Sequence, residues 1–204
     1  LKVMGSKQLS ILLLIMAFLG GFVLISMELV YPRISIIWFG NVLSVWAIDL
    51  SMSLVVIAMG YWVGSWLLIR RKREITYYLL LIYLVTAAYL LFMNLTHQFV
   101  LEKISSLNVA SGSIIFSILF MFPTMGLLAV SGPLLVHLKN TVSQKSTIRS
   151  SIIFGVSTLG GAIAMLVVGL YSLPFLGIRI TIYCLIILLV INCLLMWGYK
   201  QKLR

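Results

Sequence analysis

Apolar residues run through this chain in six long stretches, at about 9–30, 46–69, 75–93, 113–138, 148–171 and 177–199. Each is close to the roughly 20 residues that cross a bilayer core of about 30 Å as a helix. Within a stretch the apolar positions are continuous, as in Ile11-Leu12-Leu13-Leu14-Ile15. That pattern lacks the period of two that a membrane strand in a closed barrel requires. The pattern therefore predicts an all-α integral membrane protein, a single domain over residues 1–204 built as a bundle of six transmembrane helices. The first stretch is longer than the core of a signal peptide, about 7–15 residues. It also runs into Met27-Glu28-Leu29-Val30-Tyr31-Pro32-Arg33 without a small-residue cleavage site, so it is expected to stay as the first helix.

Composition sharpens this reading. Of 204 residues, 62% are hydrophobic and 9% charged, where a soluble domain carries about 25% charged residues. A water-soluble globule is excluded. The formal net charge of +11 would suggest nucleic acid in a soluble domain, but here the bases fall between the apolar stretches. Lys2 and Lys7 precede the first. Arg70, Arg71, Lys72 and Arg73 join the second to the third; Lys139, Lys145 and Arg149 join the fourth to the fifth. Lys200, Lys202 and Arg204 follow the sixth. These twelve of the fifteen bases share one side if six helices alternate, leaving Arg33, Lys103 and Arg179 opposite. The positive-inside rule then places both termini in the cytoplasm, in a membrane expected to be the bacterial cytoplasmic (inner) one, with no nucleic-acid partner.

Candidate chemistry is sparse. Cys184 and Cys193 lie nine positions apart on nearly opposite faces of one helix, which excludes a disulfide between them, and neither forms a CxxC pair. Small residues mark packing faces: Gly20-Gly21, the pair Gly60 and Gly64 in GxxxG spacing, then Gly155, Gly160, Gly161 and Gly169. In lipid, small residues let backbones approach closely, either as a fixed seam or as a sliding transporter interface. Pro123 and Pro133, near Gly126 and Gly132, predict a kinked fourth helix. Interrupted helices line transporter sites in inverted repeats, yet the first three stretches show no evident symmetric partner. Glu28, Arg33, Asp49 and Arg179 fall at one outer level, the ionisable residues at membrane depth. They form either a charge network, with Glu28 paired to Arg33 or Arg179, or a ligand site. In the second reading Glu28 and Asp49, near Tyr31, Trp38 and Trp46, hold an organic cation. His97 and His137 fall on opposite sides without metal-ligand spacing. Asn94-Leu95-Thr96 fits a glycosylation sequon, and 97–107 has the spacing of a short interfacial helix. No motif supplies a catalytic group, a cofactor site or a metal site.

With the helices placed, the sequence resembles the membrane domain of membrane-bound spermidine synthase-like proteins, described as fused to a transporter-like half. The resembling residues are Phe18-Leu19-Gly20-Gly21-Phe22, then Met27 to Arg33 and Phe39-Gly40. Further on come Met59-Gly60-Tyr61-Trp62-Val63-Gly64-Ser65 before Arg70-Arg71, the prolines of the fourth helix and Ser157-Thr158-Leu159-Gly160-Gly161. Last is Leu173-Pro174-Phe175-Leu176-Gly177-Ile178-Arg179. In fused members an aminopropyltransferase-like domain with a glycine-rich nucleotide loop follows the last helix. This sequence ends at Lys200-Gln201-Lys202-Leu203-Arg204 with no such loop, so the resemblance implies the membrane part without synthase activity.

The expected function is therefore a non-catalytic integral membrane subunit or anchor of a larger complex. Its partners would be membrane lipids and other membrane subunits or a separately encoded cytoplasmic enzyme. The alternative is a small homo-oligomeric transporter of a polyamine or another organic cation. The topology carries its own test. Single cysteines at either terminus and in the loop after Arg70 are expected to react only with membrane-permeant reagent, and one at Lys103 with impermeant reagent; termini on opposite sides would remove the six-helix reading.

Overall fold

The computed structural model describes residues 6–70, 74–142 and 146–203. The basic residues Lys2, Arg71, Lys72, Arg73, Lys145 and Arg204 lie outside them, as do the side chains of Lys7, Arg149 and Lys202. Seven α-helices and two π-helical segments make up the described chain: α1 Ser6–Phe39, α2 Leu43–Arg70, α3 Ile75–Ile104 and α4 Val109–Phe116. A π-helical segment Ser117–Met121 leads into α5 Phe122–Val142, and α6 Ser146–Val167 continues through π-helical Val168–Leu176 into α7 Gly177–Leu203. Helix is the state expected of a chain whose backbone groups must bond to one another in lipid.

The helices are longer than their apolar stretches. The first runs to Phe39, straight past Pro32, and ends where Gly40 adopts φ +90° and its N–H reaches the Ile36 carbonyl at 3.0 Å. The third reaches Ile104, so 97–104 is its last turns and not a separate interfacial helix. Hydropathy falls at the membrane surface, whereas the ladder of backbone bonds continues until a residue breaks it. Asn108 supplies the next start, its side chain accepting from Ala110 N–H at 3.3 Å.

Five apolar helical runs among the described residues are long enough to cross a membrane, and the last, Ser150–Gln201, is 52 residues long. This run folds back on itself. The hydroxyls of Ser172 and Thr181 lie 2.7 Å apart, where a straight helix would separate them by about 13 Å. The reversal falls at Gly177, whose φ of +76° side chains other than glycine rarely adopt.

Two parallel helix pairs close the bundle. Along α1 and α6 with its π-helical continuation, Gly21 meets Ser157, Gly161 meets Ile25 and Gly169 meets Leu29, so the two helices run the same way. A Cβ on Gly160 would enter the Phe18 carbonyl, and one on Gly161 would sit 2.5 Å from Ile25 Cγ1. Along α2 and α5, a Cβ on Gly60 would lie 2.5 Å from Ala129 Cβ, and one on Gly64 would lie 2.8 Å from the Val130 carbonyl. Gly155 differs: nothing stands within 4 Å of its Cβ position, so packing makes no demand for glycine there.

The pairing has an internal symmetry that the residues alone did not reveal. Taking α4, its π segment and α5 as one unit, α1 packs on α6 as that unit packs on α2. Likewise α1 packs on α7 as the unit packs on α3, and lighter contacts join α1 to α2 and α5 to α6. Exchanging the first three runs for the last three returns these contacts between helices. The halves run in opposite senses: Gly112 meets Phe39, and Lys139 reaches Ser10 at the other end of α1. Substitution reads these seams directly. Gly160→Leu or Gly161→Leu is expected to destabilise the chain by about 3 kcal/mol or more through overpacking, lowering the melting temperature in detergent, while Gly155→Leu leaves it nearly unchanged.

Candidate functional site

The buried face of α2 reads Val45, Asp49, Ser53, Val56, Gly60 and Gly64, a stripe of three- and four-residue steps. Its lower part is the glycine seam and its upper part is polar. There Ser53 Oγ lies 2.9 Å from Glu28 Oε1 of α1, and Ser117 Oγ of the π segment lies 3.2 Å from Asp49 Oδ1. On α1, Glu28, Tyr31 and Ser35 follow the same stepping. Tyr31 Oη bonds Thr124 Oγ1 of α5 at 2.6 Å, and Ser35 is fully buried beside Asp49. Asp49, Ser53, Ser117 and Thr124 are also fully buried. Two carboxyls and a ring of hydroxyls thus join α1, α2 and the fourth run.

The expected charge network is not formed. Arg33 and Arg179 are exposed, and neither makes an ion pair with Glu28 or Asp49. Shared depth is insufficient for pairing: five residues on a helix turn through about 500°, so Glu28 and Arg33 occupy different faces. The aromatic side chains are dispersed too. Trp46 Nε1 donates to Asn41 Oδ1 at 2.9 Å, and Trp38 lines a separate outer cavity of about 300 Å³ with Arg179, Asn94 and His97. Asn94 is 3% exposed, which closes the sequon to glycosylation. Lys139, expected on the basic surface, is buried, and its Nζ donates to the Ser10 carbonyl at 3.0 Å, tying α5 to α1. Both cysteines are free, Cys184 exposed and Cys193 half-buried.

Pro123 follows the π segment, and Pro133 packs against Gly64. A proline at 123 has no N–H for the carbonyl of residue 119. The structure answers that vacancy from another helix, for Tyr89 Oη of α3 donates to the Leu119 carbonyl at 2.5 Å. Two further cavities are apolar. One of about 690 Å³ opens between the arms of the α6–α7 hairpin, lined by Phe22, Val168, Tyr171, Phe175, Cys184 and Leu188. The other, about 390 Å³, lies between Met59 and Val63 of α2 and Phe122 and Leu127 of α5. Neither acid lines either one or the outer cavity.

The chain matches no protein-family model, no curated protein and no solved structure. Sequence reasoning selected Glu28 and Asp49 but missed Ser35, Ser53, Ser117 and Tyr89. The stepping of Asp49, Ser53, Val56, Gly60 and Gly64 was the signal available for Ser53; the others depend on contacts between helices. Tyr89→Phe strips the Leu119 carbonyl of its donor and is expected to cost about 1 kcal/mol, read as a lower thermal midpoint.

Proposed function

We propose that this chain is a non-catalytic membrane subunit with six spans and both termini in the cytoplasm, holding a larger assembly in a bacterial inner membrane. The hairpin at Gly177 supports counting two crossings in the 52-residue run. The twelve-to-three asymmetry of bases supports the orientation. One observation carries the functional reading: two glycine seams hold α6 on α1 and α5 on α2, and both acids sit in contacts between helices and line none of the three cavities described above. Such a bundle is built to hold its shape. Its resemblance to the membrane part of spermidine synthase-like proteins is consistent with a partner that bears the chemistry.

A second reading has specific support. Inverted repeats of three helices recur in secondary transporters, and among the described residues Glu28 and Asp49 have no basic partner. That combination favours a carrier of a polyamine or another organic cation, with a second copy completing twelve helices. The readings separate in one comparison. Native purification is expected to recover the chain with a second membrane or cytoplasmic protein at fixed stoichiometry, and proteoliposomes of the chain alone are expected to show no spermidine uptake. A chain recovered without a partner, with uptake that Glu28→Gln abolishes while the bundle still assembles, would overturn the subunit reading.

A further inference from the structure

Each acid of the polar cluster faces a serine whose single hydrogen has a competing acceptor. Ser53 Oγ is 2.9 Å from Glu28 Oε1 and also 2.9 Å from the Leu50 carbonyl. Ser117 Oγ is 3.2 Å from Asp49 Oδ1 but 2.9 Å from the Ser113 carbonyl. A hydroxyl has one hydrogen and two lone pairs. Serine in a helix commonly gives that hydrogen back to a carbonyl one turn earlier. Each hydroxyl serves one of its two acceptors at a time; where it serves the backbone carbonyl, a lone pair faces the carboxyl oxygen, and a positive charge between the two oxygens satisfies both.

Two buried groups point the same way. Asp49 Oδ2 and Ser35 Oγ are both buried and short of a well-formed hydrogen bond, with Ser35 beside Asp49 as the donor within reach and each residue fully buried. Among the described residues no ion pair reaches either acid. Among the described residues no three His, Cys, Asp or Glu side chains gather to hold a metal. The donors here are therefore carboxyl and hydroxyl oxygens, hard ligands suited to a small hard cation and unsuited to a transition metal.

We propose that Glu28, Ser35, Asp49, Ser53 and Ser117 form a binding site for one small monovalent cation, a proton or a sodium ion, at the junction of α1, α2 and the segment Ser117–Met121. A proton would turn a carboxyl into the donor that a serine lone pair lacks. A sodium ion would take Asp49 Oδ2 and the hydroxyl oxygens as ligands. Among the titratable side chains on the surrounding elements, Tyr31 of α1 is bonded to Thr124, Tyr89 of α3 is bonded to the Leu119 carbonyl, and Arg33 of α1 is exposed. The fourth run contributes only hydroxyls at Ser113, Ser117 and Thr124. This site stands whether the chain anchors a partner or carries a solute.

The test uses the purified full chain in detergent, with its thermal midpoint measured in sodium chloride and in choline chloride at equal ionic strength. Both series are repeated from mildly acidic to mildly alkaline pH. A sodium site raises the midpoint by roughly 3–6 °C at about ten times its dissociation constant, and Asp49→Asn abolishes the rise. A proton site leaves sodium inert. The midpoint then rises as pH falls, because the folded state binds the extra proton, and Asp49→Asn flattens that dependence. Ser117→Ala keeps both acids and reads the same site should Asp49→Asn fail to fold; it is expected to weaken the sodium response or shift the pH response. Indifference of the wild type to sodium, together with one pH dependence shared by wild type and both variants, would overturn the proposal.

Discussion

Contact between helix backbones at glycine is the constraint on which this structure depends. Apolar side chains gain nothing by leaving lipid for one another, so helices in a bilayer associate through shape and polar contact. Gly21, Gly160 and Gly161 let α6 lie on α1, and Gly60 and Gly64 let α5 lie on α2. Everything polar then follows from these distances. Seams this tight exclude side chains at mid-depth, and where glycine gives way to serine and acid on the same stripe of α2, the gap fills with hydroxyls and two carboxyls.

The π-helical segment Ser117–Met121 belongs to the same geometry. A π turn admits an extra residue and breaks the ordinary helical register. Here it precedes Pro123 and carries Ser117 toward Asp49, while Tyr89 satisfies the Leu119 carbonyl. Kink, seam and polar cluster are one arrangement. None could be moved without disturbing the others, which is how a bundle with few polar groups obtains a unique packing.

The helical class and the long apolar runs were legible because they rest on local pattern, on length and hydropathy; Gly60, Gly64, Gly160 and Gly161, marked by small-residue spacing, stand at close backbone contacts. Helix ends were less legible, since α1 and α3 continue past the point where hydropathy falls. Glu28 and Asp49 were visible as acids at membrane depth. Their partners were not, because Ser53 meets Glu28 across 25 positions of chain and Ser117 meets Asp49 across 68. The supposed pairing of Glu28 with Arg33 failed on angle, a quantity that sequence does contain but that depth alone ignores. The inverted pairing of the two halves left no trace in residue identity. It exists only as a pattern of which helix lies against which.

The parallel pairing of α1 with α6 has a consequence for how the chain is made. The Gly21 face of α1 enters the membrane long before its partner face at Ser157 and Gly161 has been synthesised. At about 5–20 residues per second, the wait is on the order of ten seconds. Hairpins of successive helices cannot settle this fold one after another, because its tightest contacts join early chain to late chain. The bundle must therefore persist as loosely associated helices until α6 arrives, and during that interval the bare glycine face of α1 is open to any other membrane helix with a small-residue stripe of its own.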